Sequence, residues 1–184
     1  MAAEYEWEIE HQVAVTRIAL ELYDQFRSMH GLGSRERTLL ECAGLMHDIG
    51  WVGGQKRHHR RSAAMILEHG VQGLGDHELL VVAAIARYHR KALPDPKHEI
   101  YGDLNSDEQR TVRWCSGILR IADGLDRAHD SAVSAVRVRF DEEMIELAVT
   151  CSRACDMDIA GGQRKVGALE AESGHEIRVR KARD

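Results

Sequence analysis

Proline is scarce in this chain, with Pro94 and Pro96 the only two in 184 residues. So few breakers, alongside abundant Ala, Leu, Glu and Arg, make long helices the expected element. No apolar run approaches the roughly 18 residues that span a bilayer, so no membrane-spanning segment is expected. The first ten residues are acidic and hold no signal-peptide core, which predicts a cytoplasmic protein. A basic excess is missing as well: 25 Lys and Arg stand against 30 Asp and Glu, for a net charge of -5. That balance argues against a dedicated nucleic-acid binder. The four cysteines, Cys42, Cys115, Cys151 and Cys155, contain no CxxC pair. They are expected to be reduced thiols.

Against these shortages stand 43% hydrophobic residues, enough for a folded domain that buries roughly 70% of its unfolded surface. Apolar periodicity divides the chain. His11, Val15, Ile18, Leu22 and Phe26 form one helical stripe, predicting a helix from about Tyr5 to Met29 with His11 turned inward. Ser34 is the expected N-cap of a second helix carrying Leu40, Ala43 and His47, and Gly50 its expected C′ residue. A third helix should run from His58 to Glu68. A fourth, capped by Asp76, should end near His89. Ala92 to Asn105, with both prolines, reads as the one long loop. Ser106 and Gln109 suggest a capping box opening a fifth helix through Leu125. From Ser134 the period falls to two: Val136, Val138 and Phe140, then an acidic turn at residues 141–143, then Ile145, Leu147 and Val149. This is a β-hairpin pattern. One weak helix over Asp156–Glu172, compromised by Gly161 and Gly162, and a strand at Ile177–Val179 should follow. The expected architecture is mainly α: a helical bundle over 1–130 with a small β-β-α-β appendage over 134–184.

Eleven histidines are the conspicuous surplus, and several fall on these helices at inward positions or ends. His11 lies on the first, His47 and Asp48 end the second, His58 opens the third, His89 closes the fourth, and Asp123 sits on the fifth. Metal sites in helical bundles take inward-projecting ligands from several helices in this way. One such histidine is more often a hydrogen-bonded core residue. A carboxylate among apolar neighbours, however, needs a cation, because its desolvation is costly. For Asp123 that cation is either Arg120 or Arg127, or a metal.

The order His11, His47-Asp48, Asp123 resembles the H…HD…D motif of HD-domain metal-dependent phosphohydrolases, with His58 and His89 matching the extra histidines of two-metal members. More narrowly, GLMHDIGW (44–51), HHRRSAAMIL (58–67), AIARYHRKALP (84–94) and LRIADGLDRAH (119–129) resemble the C-terminal helical domain of the exopolyphosphatase and guanosine pentaphosphate phosphohydrolase (Ppx/GppA) family. That family's actin-like catalytic domains have no counterpart in these residues, so exopolyphosphatase activity is not implied. Nor is cyclic-dinucleotide cleavage, since His89 is followed by Arg90-Lys91-Ala92-Leu93-Pro94 and not by a GYP-type motif.

The resemblance implies a fold, the HD-type bundle, and a ligand set. His11, His47, Asp48 and Asp123 would hold one metal, with Asp48 bridging to a second bound by His58 and His89. Mixed His and carboxylate donors suit one or two divalent transition metals such as Mn, Fe, Co, Ni or Zn. Asp48, His58 and His89 are then the expected catalytic centre. Arg60, Arg90, Lys91 and Arg127 are the expected substrate-binding residues, with Lys56, Arg57, Arg61 and Arg120 nearby. Local basic charge inside an acidic protein suits a small anionic, phosphate-containing ligand. Two functions are weighed. One is a metal-dependent phosphohydrolase acting on a nucleotide or other phosphate ester. The other is a non-catalytic module that binds polyphosphate or a guanosine alarmone, or pairs with a partner chain. The tail, lacking proposed ligands, is expected to serve packing or an interface, a homodimer included.

Overall fold

The computed structural model describes residues 2–141 and 143–182, with side chains from residue 9 onward. Helix α1 (Ala2–Gln25) buries His11, Val15, Ile18 and Leu22 on one face, as the stripe requires. It stops short of Met29. The chain breaks at Phe26 and resumes as a single turn, α2 (Arg27–His30), ended by Gly31 at φ 62. Only a residue without Cβ takes that left-handed angle at no cost.

The next helices are α3 (Ser34–Met46), α4 (His58–His69), α5 (Asp76–Tyr88) and α7 (Ser106–Gly124). The caps of α3, α5 and α7 lie one residue earlier than the sequence suggested. Gly33 and Gly75 donate their N–H to Glu36 and Glu78 at 2.8 and 2.9 Å. Asn105 accepts from the N–H groups of Asp107 and Glu108 at 3.0 Å while Glu108 reaches back to its N–H. In each case the glutamate three residues after the cap sets the boundary, leaving Ser34, Asp76 and Ser106 as first helical residues. The expected loop before α7 contains one helical turn, α6 (Glu99–Gly102).

Gly50 is not a helix terminator. It lies inside a 3₁₀ turn, Ile49–Gly53, that follows α3, and its N–H donates to the Ser62 hydroxyl of α4 at 2.9 Å. A Cβ there would come within 2.4 Å of the His58 carbonyl oxygen. The glycine therefore lets the turn that carries Asp48 press directly against the start of α4.

The expected hairpin is present: β1 (Val133–Phe140) and β2 (Met144–Cys151) pair antiparallel, Val136 opposite Val149. Asp141 N–H closes on the Met144 carbonyl at 2.9 Å; Glu142 of the acidic turn lies outside the described residues. The weak helix is two helices, α8 (Asp156–Gln163) and α9 (Gly167–Ser173), and β3 (Glu176–Lys181) adds to β2 in parallel. Gly161 does not weaken α8 so much as permit contact, because its backbone touches that of Gly124 on α7.

Helix α7 is the axis of the molecule. It packs on α1, α3 and α5 and also on α8 and α9. One continuous core runs from Val15 of α1 to Val179 of β3. Gln25 ties the sheet to α1, donating to the Val136 carbonyl and accepting from Val138 N–H.

The expectation of four reduced thiols is half corrected. Cys42 and Cys115 are free, but Cys151 and Cys155 form a disulfide. The pairing was hidden because it needs a turn: Cys151 ends β2 and Cys155 is the N-cap of α8, which brings their Cα atoms to 6.3 Å. Among the described residues no helix is long and apolar enough to cross a membrane.

Candidate metal centre

Helix ends converge on one side of α7. His11 comes from the buried stripe of α1; His47 is the C-cap of α3 and Asp48 opens the 3₁₀ turn. His58 is the first residue of α4 and His89 the C-cap of α5. All five side chains are buried. They form two triads, His11-His47-Asp48 and Asp48-His58-His89, each with donor atoms within 4.8 Å of one another. Asp48 belongs to both. Its Oδ1 lies 3.0 Å from His58 Nε2 and 3.5 Å from His89 Nε2, and its Oδ2 lies 3.7 Å from His47 Nε2.

Each of these histidines is held by its other nitrogen. Nδ1 of His47, His58 and His89 meets the carbonyls of Gly44, Gln55 and Ala86 at 2.6, 3.0 and 2.6 Å. Nδ1 of His11 meets Asp126 Oδ2 at 2.7 Å. A carbonyl can only accept, so in the neutral rings of His47, His58 and His89 the proton sits on Nδ1 and Nε2 offers a lone pair inward; His11 Nδ1 donates to the Asp126 carboxylate. Metal-ligating histidines are oriented in this way. His11 Nε2, His47 Nε2 and Asp48 Oδ1 are buried with no hydrogen-bond partner. Such a set of unmet polar atoms, with His47 Nε2 and Asp48 Oδ1 as acceptors, is unfavourable by itself and fits a cation between them. The buried His/Asp groups can thus hold a metal ion.

The electrostatics follow from the geometry. Burial alone would raise the Asp48 carboxyl, but without a metal the positive charge of a protonated His47 and the close approach of His58 hold it well below the usual range. Burial and the neighbouring His47 push His89 down to about 3, so it stays neutral. His11 moves the other way, to about 9, because Asp123 and Asp126 outweigh burial.

Asp123, on the last turn of α7, sits at the margin. Its Oδ1 is 3.5 Å from His11 Nε2, and its Oδ2 accepts from the ammonium of Lys165. The protein cation beside Asp123 is thus neither Arg120 nor Arg127. Arg120 donates to the carbonyls of Tyr88, Lys91 and Ala92, fastening the chain after α5. Arg61 likewise binds the carbonyls of Gly50, Gly54 and Lys56. Both of these cations serve the scaffold.

The remaining cations divide between two hollows. Arg90, Lys91 and Arg127 line a cavity of about 340 Å³ together with Asp48 and Asp123. Arg60 faces a neighbouring groove with Lys56, Arg57 and His59, and the two hollows share Gln55, Arg90 and Lys91. Arg90 also approaches the cluster directly, its Nη1 3.1 Å from His58 Nε2.

Sequence reasoning missed several residues. Asp126 orients His11; its spacing of three from Asp123 on a helical pattern was the available signal. Trp51 donates to Asp48 Oδ2 at 3.1 Å and stacks on His58. His129 stacks on His11 at 3.9 Å between ring centroids. Arg164 and Lys165 enter the cavity from the tail, and nothing local announces them.

A family model for Ppx/GppA phosphatase, domain III, matches residues 1–156. The chain belongs to this family. The Ppx/GppA match covers α1 through β2 and contains all six of the expected ligand residues; α8 beyond Asp156, α9 and β3 lie outside it. The relation is to phosphatases, and it agrees with the four sequence blocks that suggested it.

Proposed function

We propose that this chain is a metal-dependent phosphohydrolase of the HD type, acting on a phosphate ester or anhydride of a nucleotide or another small anionic substrate. One observation carries the reading: four histidines tied at Nδ1 turn their Nε2 atoms toward a shared aspartate. His11, His47, Asp48 and Asp123 are the proposed ligands of one ion, and Asp48, His58 and His89 of a second. The donors suit Mn, Fe, Co, Ni or Zn better than the all-oxygen preference of Ca or Mg. When bound, such ions acidify water and neutralise phosphoryl oxygens.

The chain's own residues supply the rest. Asp48 couples the two halves of the centre. Arg90, Lys91 and Arg127 stand along the cavity wall where non-bridging phosphate oxygens would lie, and Arg90 is near enough to His58 to serve both cluster and substrate. Arg60, which lines the adjoining groove, would meet a second anionic group of a longer substrate.

The adjoining groove also favours a second reading, a regulatory module that binds polyphosphate or a guanosine alarmone without cleaving it. One experiment separates the two. Protein reconstituted with each metal is assayed for metal content and against a panel of phosphomonoesters, phosphodiesters and nucleoside polyphosphates. The enzyme reading expects one or two equivalents of metal, lost in H47A and D48A, together with turnover that vanishes in the same variants. Retained metal and tight ligand binding with no turnover would favour the module; no metal under any supplementation overturns the centre.

A further inference from the structure

Lys165 stands in the Arg164–Val166 break between α8 and α9, 42 residues from the aspartate it binds. Its place there is built into the packing. Gly124 and Gly161 bring α7 and α8 into backbone contact; a Cβ on Gly161 would lie 2.2 Å from the Gly124 carbonyl oxygen. That contact sets the start of the α8–α9 break beside Asp123, which is on the same turn of α7 as Gly124.

Two features distinguish Lys165 from the scaffold cations Arg61 and Arg120. Arg120 and Arg61 are each fastened to three backbone carbonyls, whereas Lys165 is bound to a carboxylate that also faces the histidine cluster. Its side chain is a quarter exposed and lines the same cavity as Arg90, Lys91, Arg127 and Arg164. A lysine is a point charge on a flexible four-carbon stem, so it can exchange partners with little backbone movement.

We propose that Lys165 is an exchangeable cation of this centre: it neutralises Asp123 when no metal is bound, and on metal loading turns into the cavity to bind a phosphate oxygen. This rests on the metal-centre reading above. A dication at Asp123 repels the ammonium and takes over its role as counter-charge, while the nearby cavity offers an anionic substrate. The same side chain therefore opposes metal binding in the free protein and supports anion binding in the loaded one. By linkage, metal and phosphate strengthen each other's binding.

Calorimetric titration of Mn²⁺ into wild-type protein and K165M, followed by inorganic phosphate with and without Mn²⁺, tests this. K165M should bind Mn²⁺ about tenfold more tightly and, once loaded, phosphate about tenfold more weakly. K165R, which keeps the charge, should move both values back toward wild type. A purely structural lysine would weaken both together. Circular dichroism melts confirm folding, and K165Q takes the place of K165M if the latter does not fold. Unchanged or weaker Mn²⁺ binding in K165M overturns the counter-charge role, and unchanged phosphate binding overturns the anion role. Wild-type protein that takes up no Mn²⁺ fails the metal reading itself, a result distinct from either.

Discussion

His11 and Asp126, 115 residues apart in the chain, are joined by a 2.7 Å contact between Nδ1 and Oδ2, and both side chains are buried. Asp126 Oδ1 accepts at the same time from Ser131 N–H at 2.8 Å, so the carboxylate is fixed before it fixes the imidazole. Carboxylate–histidine pairs of this kind set ring orientation and raise ligand basicity.

D126N should therefore weaken metal binding by about 10- to 100-fold while leaving Asp48, His58 and His89 in place. Metal titration monitored by calorimetry checks this. If D126N binds metal as wild type does, His11 needs no orienting partner.

The two triads make separate predictions. H58A or H89A should lower metal stoichiometry from two toward one and reduce hydrolysis by orders of magnitude. H59A should keep both ions, since His59 lies outside both triads and faces the basic groove. A rise in KM at constant stoichiometry in H58A would instead make His58 a phosphate-binding residue.

G161A tests the backbone contact between α7 and α8. The new methyl would collide with the Gly124 carbonyl and the Arg127 side chain, at 2.2 and 3.0 Å from its ideal position. A loss of about 1–3 kcal/mol is expected, because overpacking forces the backbone apart. Thermal melts measure it, and G174A, in open space, would show only the cost of its positive φ.

Glu78 allows a pH prediction remote from the metal centre. Hydrogen bonds from Arg35 and from Gly75 N–H hold its carboxyl down to about 2, against 4.5 ordinarily. A carboxyl more acidic in the folded than in the unfolded state contributes stability above pH 4.5, and that contribution fades as pH falls toward 2. The melting temperature of wild type minus that of E78Q should be small, positive and salt-sensitive near neutrality and approach zero near pH 2. A difference that persists at pH 2 would assign the effect to helix capping.

Local pattern carried much of this protein. Helical spacing of three and four put His11 on a buried face, and helix-end signals put His47, Asp48, His58 and His89 where helices begin or end. Those properties depend on neighbours within a turn, which a sequence displays directly. The strands of the hairpin were legible for the same reason, through their period of two. Contacts made between elements were not legible. Asp126 beneath His11, Trp51 on Asp48, the Cys151–Cys155 bridge and Lys165 on Asp123 each required knowing how separate segments meet. The α7–α8 approach is decided by two glycines whose only local property is the absence of a side chain, and that absence reads as helix weakness until the partner helix is in view. Arg61 and Arg120 show the converse. As charges in a sequence they look like substrate cations, and only the carbonyls around them in the folded chain make them part of the frame.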